Sequence, residues 1–126
     1  MIDIRSSEGP PGEVEADPAA LVPVESSSLL LSVDRQRDRT VVRLGGDLDM
    51  SGYTRIAQLA DEFILTRELV IDLAALSFID LTGVGLLLGL RRRAEQLGRS
   101  FVLQNPSPAV QRLAAKIGLA GVQLFD

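Results

Sequence analysis

Leu69-Val70-Ile71-Asp72-Leu73 is apolar at almost every position. A strand with one wet face alternates, whereas a continuously apolar strand must be covered on both faces, so this run requires an interior strand of a sheet packed beneath helices. It leads into Phe78-Ile79-Asp80-Leu81-Thr82-Gly83-Val84-Gly85, where an acid and a hydroxyl stand at the mouth of a predicted helix. A strand-to-helix turn of this kind presents one side chain for modification.

Other segments extend the same pattern. Leu29 to Val33 and Thr40 to Leu44 are short β-prone runs separated by Asp34-Arg35-Gln36-Arg37-Asp38, which predicts a hairpin. Ser51 can cap a helix whose apolar face is Ile56, Leu59, Ala60 and Phe63. A second helix is predicted from near Thr82 to Gly98, then a strand at Phe101-Val102-Leu103. Ser107 can cap a third helix with Pro108 in its first position, a stripe of Val110, Leu113, Ala114 and Ile117, and a stop at Gly118. Val122 to Phe125 completes the order as a last short strand. The expected fold class is α/β: a mixed sheet of about four or five strands covered by helices, with right-handed crossovers between parallel strands.

Charge separates a tail from this domain. Residues 1–27 hold six acids against the single base Arg5, so the net charge of −4 belongs to that segment and the remainder is close to neutral. With Gly9-Pro10-Pro11-Gly12, Pro18, Pro23 and Ser26-Ser27-Ser28, the segment lacks a periodic apolar pattern, and residues 1–27 are expected to be a disordered acidic tail before a single domain over residues 28–126. The absence of cysteine and histidine excludes disulfides, thiolate nucleophiles, histidine bases and zinc sites of nitrogen or sulfur ligands. One tyrosine, four phenylalanines and no tryptophan on a near-neutral domain make a poor nucleic-acid binder. Neither a membrane span nor a signal peptide is readable, and a cytoplasmic location is expected. Arg91-Arg92-Arg93 reads as a solvated helix face, the alternative being contact with an acidic partner.

Around the second helix, at about 100° per residue, Gly83, Leu87, Leu90, Ala94 and Leu97 fall together with Leu86 at their edge and are expected to face the sheet. Val84 and Leu88 project to one side, near Gly85 and Thr82. They are either a docking surface or the seat of a neighbouring helix. Two enzymatic alternatives are weak. Gly83, Gly85 and Gly89 imitate a dinucleotide-binding turn, but Asp80 would stand where a pyrophosphate must approach and Gln104-Asn105 replaces the acid that would hold a ribose. Asp49 and Asp80 both follow strand-like segments and can converge at one sheet edge, yet nothing else in the chain supplies a substrate pocket for a carboxylate pair. No metal or cofactor is expected.

Gly46-Asp47-Leu48-Asp49, Ile71-Asp72-Leu73, Phe78-Ile79-Asp80-Leu81-Thr82-Gly83-Val84-Gly85 and Asn105-Pro106-Ser107-Pro108-Ala109-Val110 together resemble, in order, the signatures of bacterial anti-sigma factor antagonists, the STAS domain family, across about Leu29 to Phe125. The resemblance implies a single STAS-like domain that is not an enzyme. It implies a transcription regulator, as in stress responses, that binds an anti-sigma factor, usually a serine/threonine kinase of the histidine-kinase-like ATPase fold, and so releases a sigma factor. In that family the residue before the motif glycine is phosphorylated by this kinase, which ends binding, and a PP2C-type phosphatase reverses the modification. That residue here is Thr82. Asp49 and Asp80 match acids flanking the site, and Leu81, Gly83, Val84 and Leu88 complete the expected partner-binding set. Leu81 departs from the commonest pattern, in which a hydroxyl residue stands there. The alternative is a non-switching STAS scaffold or sensory module in a larger assembly.

As an N-cap, Thr82 would place its oxygen at the positive end of the helix dipole, where a phosphate is locally tolerated. That phosphate would add about −1.5 to −2 charges beside Asp80 and Asp49. The expectation is a fold that survives modification and an interface that does not.

Overall fold

Three residues, Gln36 to Asp38, turn the chain between two strands, β2 (Leu29–Arg35) and β3 (Arg39–Leu48), with the Gln36 amide donating to the Arg39 carbonyl at 2.8 Å. The computed structural model describes residues 20–64 and 68–118. Before this hairpin lies β1 (Val22–Pro23); after it come α1 (Met50–Ile64), β4 (Glu68–Ile79), α2 (Leu81–Gln96), β5 (Phe101–Gln104) and α3 (Pro108–Lys116). The sheet runs in the order β1-β2-β3-β4-β5. The hairpin and β1 pair antiparallel, whereas β3, β4 and β5 are parallel and joined by α1 and α2, so the sheet is mixed as the residue pattern required.

Packing follows from the strand register. Val42 opposes Ile71 and Ile71 opposes Leu103, and all three belong to one buried cluster with Leu44, Leu48, Leu69 and Leu73. Ile56, Leu59, Ala60 and Phe63 bring the apolar stripe of α1 onto that cluster, and Leu86, Leu87, Leu90 and Ala94 bring the stripe of α2. Val41 and its partner Val70 have the opposite parity and are also buried. α3 packs against β4, so the interior strand is indeed buried from both faces. Each fully buried aliphatic side chain contributes roughly 1.5–3 kcal/mol, which makes this central layer the source of most of the fold's stability.

Helix ends agree with the sequence in part. Ser107 caps α3, its Oγ accepting from the Val110 amide at 3.3 Å, with Pro108 as the first helical residue. α2 ends in a paired-carbonyl stop: the amides of Gly98 and Arg99 donate to the carbonyls of Glu95 and Ala94 at 3.1 and 2.8 Å, and Gly98 takes the positive φ of 67° that this closure needs. Leu97 and Ile117 were expected to end the buried stripes of their helices. Both lie at C-caps, where the helical periodicity stops, and they are 44% and 37% exposed.

The boundary between tail and domain shifts. Val22 and Pro23 pair with Leu31 and Leu30, so the last residues of the expected tail form an edge strand of the sheet. Gly45 explains part of this attachment: a Cβ there would lie 2.7 Å from Leu21 Cδ1, so the missing side chain makes room for the incoming segment. Residues 1–19 and the expected strand at Val122 to Phe125 lie outside the described residues. No described helix is long and apolar enough to cross a membrane.

Candidate partner-docking and modification face

The parallel register places Leu48 of β3 directly opposite Ile79 of β4. Neighbouring strands are about 4.8 Å apart, so Asp49 and Asp80, the next residue on each, leave the sheet side by side. The expected convergence of these two acids at one sheet edge is therefore met. Each then opens a helix.

Asp80, and not Thr82, is the N-cap of α2. Its extended backbone (φ −111°, ψ −176°) is what a cap requires, and its Oδ1 accepts from the Gly83 amide at 2.9 Å while its carbonyl accepts from the Val84 amide at 3.0 Å. Leu81 is already helical, which makes Thr82 the second helical residue. A carboxylate is the stronger acceptor at a helix N-terminus, and once it has claimed the first-turn amides a hydroxyl two residues later has no capping role. Thr82 is half-buried, and among the described residues no hydrogen bond involves its hydroxyl.

α1 departs from expectation in the same manner. Its first helical residue is Met50, and Asp49 supplies the cap that Ser51 was expected to provide. Asp49 Oδ1 accepts from the Ser51 hydroxyl at 2.6 Å and from the Ser51 amide at 2.9 Å, and the Asp49 carbonyl accepts from the Gly52 amide at 3.2 Å. The Ser51 hydroxyl first, and its amide second, hold the Asp49 carboxyl below the usual carboxylate range.

Gly83 is fixed by close approach. A Cβ on it would lie 2.7 Å from the Leu48 carbonyl oxygen and 2.8 Å from Ile79 Cγ1, so only glycine lets α2 settle onto the ends of β3 and β4. Gly85 and Gly89 meet nothing within 4 Å. They leave the outer side of α2 low and smooth.

Around this junction apolar side chains face solvent: Met50 is 73% exposed, Leu81 64%, Phe78 49% and Tyr53 41%. Val84 and Leu88 are half-buried and pack at the margin of the core cluster. α1 meets α2 on the opposite flank, where Arg93 Nε bonds Asp61 Oδ1 at 2.8 Å, and Arg93 projects about 180° around the axis from Val84. The structure thus gathers Asp49, Asp80, Leu81, Thr82, Gly83 and Val84 at one edge of the sheet, with Leu88 one turn further along α2. The expected partner-binding set did not include Met50, Tyr53 or Phe78. Met50 was accessible to sequence reasoning, since Met50 follows Asp49 as Leu81 follows Asp80.

Both carboxylates are engaged by the amides of their own helices, a structural use that accounts for the pair without a reaction. Among the described residues no three acids come close enough together to hold a metal ion. Asp80 also occupies the helix N-terminus that a dinucleotide pyrophosphate would need.

This arrangement has relatives. A family model described as "Mlab, STAS domain" matches residues 31–125. The chain is 34% identical over 86 residues to an anti-sigma F factor antagonist of Lysinibacillus sphaericus, a match covering 66% of this chain and 74% of that protein. The solved structure of the anti-sigma factor antagonist SpoIIAA in its unphosphorylated form superposes with a TM-score of 0.59 at 32% identity, across 71% of this chain and 82% of that one. The Bacillus cell fate determinant SpoIIAA in its phosphorylated form gives a TM-score of 0.58 at 30% identity, across 71% and 84%. A family match across most of the folded domain establishes that the chain belongs to the STAS domain family.

Proposed function

We propose that this protein is an anti-sigma factor antagonist whose docking face is the junction of β3, β4, α1 and α2, and whose binding is ended by phosphorylation of Thr82. The observation that carries the reading is the position of Thr82. It stands in the first turn of α2, with its hydroxyl uncommitted, directly after the capping acid Asp80 and the exposed apolar Leu81, at an end of the sheet where two helices start.

Binding follows from the surface chemistry. Met50, Phe78 and Leu81 lose water contact when a partner covers them, and Gly85 and Gly89 allow close approach of its backbone. Val84 and Leu88 extend the contact along α2. Asp49 and Asp80 set the charge of the rim, which favours a partner with basic residues. The partner is an anti-sigma factor, a serine/threonine kinase of the histidine-kinase-like ATPase fold, and its capture releases a sigma factor for transcription in the cytoplasm.

The switch follows from charge. A phosphate on Thr82 carries about −1.5 to −2 charges and stands next to Asp80 and near Asp49. The α2 N-terminus tolerates it, so the fold persists. The partner's surface would have to bury the new charge against two carboxylates, a loss of several kcal/mol and thus ~10²-fold or more in affinity. A PP2C-type phosphatase restores binding by hydrolysing the ester.

The test is a calorimetric titration of the wild type, Thr82→Glu and Thr82→Ala with candidate anti-sigma kinases from the source genome, in the presence of ATP or ADP. Tight binding by the wild type and Thr82→Ala, with loss in Thr82→Glu, is the expected result. Equal binding by all three would leave a non-switching member, for which the exposed Leu81 in place of a hydroxyl residue is the favouring observation. No binding to any candidate would reject the antagonist reading in favour of a scaffold.

A further inference from the structure

Three consecutive arginines, Arg91, Arg92 and Arg93, lie in the second half of α2, and the fold uses two of them. Arg91 is half-buried, with its guanidinium carbon over the Phe101 ring at 5.8 Å from the centroid. Arg93 Nε donates to Asp61 Oδ1 of α1 at 2.8 Å, and Arg93 is also the cation that the last turn of a helix favours. Arg92 is exposed, and among the described residues its side chain makes no hydrogen bond or ion pair. Glu95, one turn further on, does not pair with it.

The phase of the helix puts this spare cation on the docking face. At about 100° per residue, Arg92 lies about 20° around the axis from Leu81, Leu88 about 20° to the other side, and Gly85 within about 40°. The four residues therefore form one line, with Arg92 about 16 Å along the axis from Leu81 and about 6 Å beyond Leu88. Leu81 is 64% exposed and Leu88 half-buried, and a Cβ on Gly85 or Gly89 would meet nothing within 4 Å. A partner that covers this line reaches Arg92 as well. An apolar or basic group opposite Arg92 would strip water from the guanidinium and return no bond, whereas a carboxylate answers it with a charge-assisted hydrogen bond. The other end of the line has the opposite sign, since Asp80 caps the helix and Asp49 stands beside it.

We propose that Arg92 is a specificity-determining contact of the docking face and pairs with an acidic side chain of the anti-sigma factor. The partner is taken from the function proposed above. The face then reads acid, apolar, base along about 18 Å from Asp80 to Arg92, so the complementary surface carries a base, an apolar stretch and an acid at the matching places. One orientation satisfies both pairs. The reversed one sets like charges against each other at both ends. An anti-sigma factor with a neutral or basic residue opposite Arg92 is bound less well, which lets this residue select among kinases that share an apolar docking surface.

The experiment follows association and dissociation of the full chain with each candidate anti-sigma kinase of the source genome by surface plasmon resonance, at low and high salt with ADP present. It compares the wild type, Arg92→Ala, Arg92→Glu and Arg112→Glu; Arg112 is exposed on α3, and its reversal changes the net charge equally. Arg92→Glu should weaken binding by ~10-fold or more and Arg92→Ala by less, with both losses shrinking at high salt, while Arg112→Glu stays within about 2-fold of the wild type. Reversal of one exposed acid of the bound kinase to lysine should restore the binding of Arg92→Glu. Equal losses in Arg92→Glu and Arg112→Glu, wild-type affinity in Arg92→Glu, or the lack of any restoring reversal overturns the proposal and leaves the antagonist reading standing. No binding of the wild type to any candidate overturns both. Because Arg92 is exposed and its side chain is unpaired within the described fold, Arg92→Glu keeps the wild-type circular dichroism spectrum, which separates loss of the contact from loss of the fold.

Discussion

The inner and outer sides of α2 carry opposite solutions to the same helical geometry. On the inner side, Gly83, Leu86, Leu87, Leu90 and Ala94 are buried, and at Gly83 the backbone lies so near Leu48 that a methyl group does not fit. On the outer side, Leu81 is solvent-facing, Val84 and Leu88 are half-covered, and the glycines at 85 and 89 have open space where a side chain would stand. Fold stability needs only the first side. The second keeps apolar groups wet and helix-weakening glycines in a helix interior, a cost of roughly 1 kcal/mol for each glycine relative to alanine. The proposed docking of a partner would account for a surface that carries such costs without a packing reason.

Substitutions separate the two sides. Leu87→Ala, at a position 4% exposed within the main cluster, should lower unfolding free energy by about 2–5 kcal/mol, measured by chemical denaturation. A loss below about 1 kcal/mol would show that the inner side is not the anchor. Gly83→Ala should cost about 1–3 kcal/mol, because the obstructing atom is the Leu48 carbonyl, part of a strand that cannot yield independently. Asp80→Ala removes the cap of α2 and should cost about 1 kcal/mol, with hydrogen exchange accelerating first at the Gly83 and Val84 amides. Gly85→Ala should do the reverse and raise stability by up to about 1 kcal/mol, since its Cβ meets nothing. Destabilisation by Gly85→Ala would contradict the outer side as an open surface.

The smallest effect concerns acid. The folded-state pKa of Asp49 is depressed by the Ser51 hydroxyl and amide, so its contribution to stability is present above the unfolded pKa and is lost as pH falls through the folded pKa. Asp49→Asn should therefore be less stable than the wild type near neutral pH, and the two should converge in acid. Parallel curves would mean that the Ser51 contacts do not persist in solution.

Much of this architecture could be read from residue order, because the strongest signals were periodic. Continuous apolarity at Leu69 to Leu73 identified the interior strand, spacing identified the buried stripe of α1, and Ser107-Pro108 identified the start of α3. Competition between local groups was not readable. Asp49 and Ser51, like Asp80 and Thr82, are both competent caps two residues apart, and only the observed hydrogen bonds, with the extended backbone at Asp80, show that the acid takes the role. β1 was missed because two residues, one of them proline, make no periodic pattern, and its place depends on contacts with Leu30 and Leu31. The convergence of Asp49 and Asp80 follows from the parallel register of β3 and β4, a long-range property that the residues suggest but do not determine. The exposure of Met50, Tyr53 and Phe78 was not readable because an exposed apolar side chain looks like a core residue until the core has been built.

The central claim is that the outer side of α2, with the adjoining strand ends, displaces a sigma factor from its anti-sigma factor unless Thr82 is charged. The most direct measurement adds this protein to a preformed complex of fluorescently labelled sigma factor and its anti-sigma kinase, and follows anisotropy with ADP present. A fall in anisotropy on adding the wild type or Thr82→Ala, absent with Thr82→Glu, is the predicted result. Unchanged anisotropy with the wild type, while the same protein binds the free kinase, would contradict the account.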